Sequence, residues 1–305
     1  MEMPVIDVAT LSDPAGIAAL HRACIGTGFF YVTNHGVPDA LIQDTLREAK
    51  NFFALPLEQR ETVSLTRSPC NRGYEPLKAQ TLEAGTPPDL KEGFYIGNEL
   101  ALDHPNVLAG FFNQGPNQWP AGLPAFRAVM ERYFATLTQL SSRLMGAMAL
   151  SLGLPGDHFA SLCESPMAVL RLLHYPPQPP NPLPDEKGCG AHTDWGCLTL
   201  LWQDDAGGLQ VRVGESWVDA PPIPGTFVVN IADMFARWTN DRYRSTLHRV
   251  VNVSGRDRYS IPFFFEGNPQ HVVACLPGCS APDNPPRYQA TTVSDHLEAM
   301  YRQTY

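Results

Sequence analysis

The chain has 305 residues, 44% hydrophobic and 17% charged, which supplies enough apolar side chains for one large β-rich domain with added helices or for two modest domains. Its net charge is -9 and its lysines and arginines never gather into a run, so the phosphate-binding footprint of a nucleic-acid partner is missing. The N-terminal MEMPVIDVATLSDP carries acids and a proline where a signal peptide has a basic start and an apolar core, and no stretch approaches the roughly 18 apolar residues of a membrane span.

In chain order, Val5 to Asp7 reads as a short strand, and Pro14 to Ile25 as a helix stopped by Gly26 and Gly28. Phe29 to Thr33, aromatic and β-branched, predicts a second strand. Turn chemistry at Asn34-His35-Gly36 follows, and Pro38-Asp39 then opens a helix to about Phe53 with Leu41, Ile42, Leu46 and Ala49 on its buried stripe. From Ser64 to about Leu123 the periodicity fails. Proline, glycine and asparagine accumulate there around a short apolar piece at Phe94 to Ile96, so a long loop is expected. Pro124 to Leu152 is a long amphipathic helix, with Phe126, Val129, Met130, Phe134, Leu137, Leu140, Leu144 and Met148 at helical spacing and Gly153 as its stop. Short apolar runs separated by turn residues then follow at 168–175, 197–203, 208–213, 226–231, 246–253, 259–265 and 271–275, a texture of β-sandwich, barrel or jelly roll. The proline-rich run from Pro176 to Pro184 is read as a stiff surface connection.

The seven cysteines are scattered, odd in number and in no C-x-x-C unit, a pattern of reduced thiols and not of a disulfide framework or a structural zinc site. A cytoplasmic protein is expected, with no nucleic acid or membrane as partner, acting as a monomer or weak homodimer on a small molecule.

Chemistry concentrates at His192-Thr193-Asp194. On an extended segment, side chains two apart point the same way, so an imidazole and a carboxylate can face one metal ion. His248, flanked by apolar residues on another predicted strand, offers a third ligand. Two histidines and one carboxylate on one face of an octahedral ion leave three positions open, the arrangement of non-haem iron(II) oxygenases. Ten residues on, Arg258 and Ser260 share a strand face amid Tyr259, Ile261, Phe263, Phe264 and Phe265. A guanidinium in such apolar surroundings needs an anion, and the pair can clamp a carboxylate.

With these residues, the chain resembles the isopenicillin N synthase-like 2-oxoglutarate and iron(II)-dependent oxygenases. MPVIDVATL and GFFYVTNHGVP are similar to the family's N-terminal region, RLLHYPP to its strand before the metal pair, HTDWGCLTLLWQD to its first metal motif, and STLHRVVN with RYSIPFFF to its closing motifs. The resemblance implies a mainly β fold with flanking helices around a double-stranded β-helix (jelly-roll) core. Residues 1–123 would form an N-terminal region with an active-site loop and 124–305 the long helix and catalytic core, integrated in one structural domain. It implies Fe(II) at His192, Asp194 and His248, with 2-oxoglutarate on the iron and its far carboxylate at Arg258 and Ser260. Tyr175 stands where the family often has a co-substrate-binding tyrosine; many plant relatives place an asparagine two residues earlier, where this chain has Leu173, so contacts from this strand are expected to differ. Dioxygen would then drive hydroxylation or desaturation of a small organic molecule, releasing succinate and CO2. The expected substrate pocket draws on residues 64 to 98, with Arg72, Tyr74, Lys91 and Phe94, on Arg171, His174 and Trp195, and on the residues after Phe264. His174 is expected to be a neutral group behind the ligands. An oxidase without 2-oxoglutarate, an ethylene-forming enzyme and a silent jelly-roll metal binder remain as alternatives.

Overall fold

The structure is a computed structural model that describes residues 3–304; Met1, Glu2 and Tyr305, which the expected regions 1–123 and 124–305 include, lie outside the described residues. In chain order the strands are β1 (Val5–Asp7), β2 (Phe29–Thr33), β3 (Gly73–Glu75), β4 (Glu92–Gly97), β5 (Met167–Tyr175), β6 (Cys189–His192), β7 (Leu198–Gln203), β8 (Leu209–Val213), β9 (Ser216–Asp219), β10 (Phe227–Ile231), β11 (His248–Val250), β12 (Arg258–Gly267), β13 (Val272–Val273) and β14 (Thr291–Thr292). The helices are α1 (Pro14–Gly26), α2 (Asp39–Phe53), α3 (Leu57–Glu61), α4 (Pro105–Leu108), α5 (Phe126–Ser151), α6 (Ala160–Cys163), α7 (Asp233–Trp238) and α8 (Val293–Thr304).

Eight strands form one sheet in the order β1-β2-β10-β7-β12-β5-β4-β3, and β6-β11-β8-β9 form a second. Only the β1 pairing with β2 is parallel among the strand pairs of the large sheet. The sequence pattern dictates the layering. Along β12, Ile261, Phe263 and Phe265 face the helices in one core, which also takes Ala168, Leu170 and Leu172 of β5 and the apolar stripe of α5. The alternate residues face the other way, where Phe29, Leu173, Tyr175, Leu209, Val211 and Val250 make a second apolar cluster between the two sheets. Helices, large sheet and small sheet thus stack as three layers around the expected jelly-roll core, and the metal motif lies between the sheets.

The long-loop expectation needs correction. Residues 92–97 form β4, buried throughout and paired along its length with β5 from Glu92↔His174 to Gly97↔Val169. A strand buried on both faces has no apolar–polar alternation, and its two glycines mimic turn punctuation, which is why the pattern hides it. Gly97 is needed because a Cβ there would come within 2.0 Å of the Arg72 guanidinium. Phe94 accordingly faces the helical core, its ring 4.6 Å from that of Phe52 and 5.3 Å from that of Phe126. Tyr74 packs on Phe52 as well and donates its hydroxyl to Glu92 at 2.6 Å. Neither lines the expected substrate pocket. The strand β9 and helices α7 and α8 have no counterpart among the expected elements; α8 buries Ser294 and His296 beside Val293 and Leu297, so its apolar period is thin.

Phe94→Ala should therefore act on stability, costing about 3–5 kcal/mol as expected for truncating a buried phenylalanine. Urea unfolding of the variant reads this directly; a loss below about 1 kcal/mol would put Phe94 outside the core.

Candidate active site

The antiparallel pairing of β6 with β11 sets His192 opposite His248, with ring centroids 4.2 Å apart. Asp194, two residues on, completes a group whose ligand atoms all lie within 4.8 Å of one another. Each ring fixes its own tautomer: His192 Nδ1 donates to the Gly190 carbonyl at 2.8 Å and His248 Nδ1 to the Thr246 carbonyl at 3.2 Å, which turns both Nε2 lone pairs inward. Those Nε2 atoms stand 3.8 and 3.7 Å from Asp194 Oδ1, beyond hydrogen-bond reach. Asp194 Oδ2 is taken by Thr199 Oγ1 at 2.5 Å and Asn230 Nδ2 at 2.8 Å, so Oδ1 alone is left to face the imidazoles. Burial pushes the His192 imidazole down, and burial together with the neighbouring His192 pushes His248 down to about 4. Burial works to raise Asp194, but the two histidines and the Thr199 and Asn230 hydrogen bonds outweigh it and hold the carboxyl below its usual range. At neutral pH the site is two neutral imidazoles and a carboxylate with three donor atoms converging, a set that fits Fe(II).

A cavity on one side of this group ends on Arg258, which is 0% exposed. Its Nε donates to the Gly207 carbonyl at 2.6 Å, Nη1 to Ser260 Oγ at 3.1 Å and Nη2 to Gln203 Oε1 at 3.2 Å, and the Tyr175 ring lies 4.7 Å from the guanidinium. Among the described residues no carboxylate pairs with it. Lys91, expected on the substrate-pocket loop, is instead buried on the wall of this cavity and already paired with buried Asp89.

A second cavity lies on the other side of the group. Arg72, Arg171, Trp195, Phe264 and Glu266 are among its walls. Arg72 is held by the carbonyls of Cys70 at 2.8 Å and Asn113 at 2.6 Å. Arg171 lies between the rings of Tyr95, at 4.3 Å, and Phe264, at 5.0 Å. Arg72, Arg171 and Trp195 are thus gathered as expected; Tyr74, Phe94 and His174 are not. The strand period turns His174 to the opposite face of β5, where it sits between Glu92 at 2.7 Å and Asp257 at 2.9 Å and stacks on Tyr259. Burial works against its charge, yet the two carboxylates win and raise its pKa.

Sequence reasoning missed Thr199, Asn230, Gln203, Phe112 and Asn113, and it singled out neither Gln80 nor Glu266 within the stretches expected to line the pocket. For Thr199 and Asn230 the signal existed: each is the polar residue in an otherwise apolar strand run, LTLLW and FVVNI.

Residues 3–122 match the family described as non-haem dioxygenase in morphine synthesis N-terminal, and residues 166–267 match the 2OG-Fe(II) oxygenase superfamily. A 2-oxoglutarate-Fe(II) type oxidoreductase of Emericella nidulans, hxnY, is 44% identical over 99% of this chain and 90% of its own length. Among solved structures, a full-length Neurospora crassa protein in complex with alpha-KG superposes with a TM-score of 0.88 at 30% identity, covering 99% of this chain and 96% of that one. JOX2 in complex with 2OG, Fe and JA gives 0.82 at 31% identity, covering 99% and 85%. The chain belongs to the 2-oxoglutarate and iron(II)-dependent oxygenase family. It is an enzyme that oxidises a small organic molecule using Fe(II), 2-oxoglutarate and dioxygen, with release of succinate and CO2. Among the described residues no helix is long and apolar enough to cross a membrane.

The His174 pair carries a pH signature. Its folded pKa is raised, so its contribution to stability is fully present below the unfolded value of about 6.5 and fades as pH rises through the folded pKa. The melting-temperature advantage of the native protein over His174→Gln should be larger at about pH 6 than at about pH 9. A gap that widens with pH would contradict the ion-paired assignment.

Proposed function

We propose that His192, Asp194 and His248 hold the Fe(II), that Arg258 and Ser260 with the Tyr175 ring take the far carboxylate of 2-oxoglutarate, and that the substrate occupies the cavity lined by Arg72, Arg171, Trp195 and Phe264. The observation that carries this reading is the buried Arg258 guanidinium, lacking a carboxylate partner among the described residues, at the end of a cavity that begins at the three converging donor atoms. A buried guanidinium demands an anion, and a dicarboxylic co-substrate brings one.

The bound ion, with 2-oxoglutarate and dioxygen, supplies the oxidising power that breaks a substrate C–H bond, by hydroxylation or desaturation. The chain's own residues do the placing. Thr199 and Asn230 fix the Asp194 carboxyl so that only Oδ1 faces the ion, and the Gly190 and Thr246 carbonyls fix the two rings. Thr193, between the ligands, donates to Asp233 at 2.9 Å and pins the segment that carries them. Ser260 and Gln203 orient the Arg258 fork toward the cavity. The Phe264, Trp195 and Phe112 side chains keep water from the reacting bond.

The Neurospora crassa protein has also been solved with alpha-KG and thymine, and JOX2 with JA, which supports a substrate of that modest size here. Seven unpaired cysteines support a reducing, cytoplasmic setting. A net charge of -9 gives no support to a nucleic-acid partner, and the protein is read as a monomer or weak homodimer.

Mn(II) titration followed by electron paramagnetic resonance tests the ligands: His192→Ala, Asp194→Ala and His248→Ala should each lose tight Mn(II) binding while keeping the native circular dichroism spectrum. Retention of native affinity by any one of them removes that residue from the site. In the same assay extended to 2-oxoglutarate, Arg258→Ala should weaken co-substrate binding by about 2–5 kcal/mol, some 30-fold to several thousand-fold. Arg258→Lys should recover little of it, because the fork and the stacking on Tyr175 are both lost. An unchanged 2-oxoglutarate affinity in Arg258→Ala would place the carboxylate elsewhere.

A further inference from the structure

We propose that Glu266 is the substrate-recognition carboxyl of this enzyme, and that the substrate is a small molecule presenting an N–H group to it; this rests on the assignment of the second cavity to the substrate.

Strand alternation delivers Glu266 to the cavity. Along β12 the side chains of Arg258, Ser260, Pro262 and Phe264 face the two cavities, and Glu266 is the next in phase. At this point the register with β5 slips, with Phe265 opposite Ala168 but Gly267 opposite Met167, so Glu266 is the extra residue of a β-bulge. The bulge releases this end of β12 from strict pairing while its carboxyl stays on the cavity that the metal-binding residues also line. Gly267, at φ 92°, lets the chain turn away immediately afterwards.

Space has been kept for the carboxyl. A Cβ on Gly196 would fall 1.5 Å from Glu266 Oε2, so the residue following Trp195 has no side chain where the acid sits. Glu266 is only 8% exposed, and its Oε2 has no hydrogen-bond partner. Among the described residues it enters no ion pair. Oε2 is closed off against Gly196, and among the described residues no side chain pairs with the carboxyl on its cavity side, so the group able to answer it there is a ligand in the cavity.

The rest of the cavity restricts what that partner is. Met167, Val169 and Phe264 are apolar, and the nearby cations Arg72 and Arg171 are held in place by backbone carbonyls and aromatic rings respectively. Burial first, and then the charge of Asp194, pushes the Glu266 carboxyl up to about 8. Arg171 works the other way, and in either protonation state the carboxyl accepts from an N–H, while in the protonated state it adds an O–H donor beside its carbonyl oxygen. The complement of that group is an N–H with a C=O on the same edge, as in a lactam or primary amide, which meets the carboxyl without burying a net charge.

The test uses the Mn(II)-loaded protein and calorimetry. First, 2-oxoglutarate is titrated into the native protein; failure to bind there defeats the co-substrate reading and not the Glu266 assignment. With 2-oxoglutarate bound, the probes are 2-pyridone, 2-piperidone and thymine, each beside its N-methylated counterpart. Expected is binding of at least one N–H probe, weakened tenfold or more by N-methylation. Glu266→Gln, which keeps a donor and an acceptor on the same atoms, should retain that preference. Glu266→Leu should lose it, while melting no lower than the native protein because an unanswered buried acid has been removed. The proposal is overturned if N–H and N-methyl probes bind alike, if no N–H probe binds, if Glu266→Leu still discriminates, or if Glu266→Leu unfolds at a markedly lower temperature.

Discussion

The pairing of β12 between β5 and β7 is the constraint on which the rest of this molecule depends. Its ten residues, Arg258–Gly267, hydrogen-bond to both neighbours and alternate between two environments. Ile261, Phe263 and Phe265 anchor the helical layer, Phe263 with its ring 5.2 Å from Phe134 of α5. Arg258, Ser260 and Phe264 line the chemistry. A register slip of one residue would exchange the two sets, placing a guanidinium in the helical core and phenylalanines at the site. Core stability and site geometry are therefore fixed by the same ladder, and the apolar burial on one face stabilises a costly polar arrangement on the other.

That polar arrangement shares a feature across its parts: buried groups are anchored by hydrogen bonds away from the cavity and left open toward it. Asp194 has Oδ2 doubly bonded and Oδ1 open. His192 and His248 each have Nδ1 anchored to a carbonyl and Nε2 open. Arg258 has three nitrogens anchored to neutral acceptors and, among the described residues, no carboxylate. Leaving a buried polar atom unpaired costs on the order of 1–3 kcal/mol, a cost a fold bears where a ligand returns it. The contrast with Lys91 and His174 is informative. Both are buried or nearly so, but both have carboxylates at hand, Asp89 for one and Glu92 with Asp257 for the other, so their demands are met within the chain.

Much of this was legible in the sequence wherever a short-range period carried the information. H-x-D on an extended segment, Arg258-x-Ser260 on an alternating strand and the long stripe of α5 all announce which side chains share a face, and the structure has those residues together. Legibility failed where burial is two-sided or polar. The run EGFYIG of β4 reads as a break because it is covered on both faces, and this misplaced Phe94 and Tyr74. His174 shows a narrower failure: it is out of phase with Arg171 and Tyr175 on β5, so strict alternation would have sent it away from the His192, Asp194 and His248 group. Glu266 was in phase with Arg258, Ser260 and Phe264, but an acid followed by Gly267-Asn268 reads as the turn after the strand, and its burial depends on Gly196, far away in sequence.

The two cavities are not independent compartments. Leu82, Arg171, His192, Asp194 and Phe264 line both, so the wall between them is one side chain thick and includes proposed iron ligands. Arg171 is midway along β5, with its guanidinium on the Phe264 ring. A ligand in either cavity borders this same cation–aromatic pair. The wall that bounds the Arg258 cavity is therefore also a wall of the cavity proposed for the substrate.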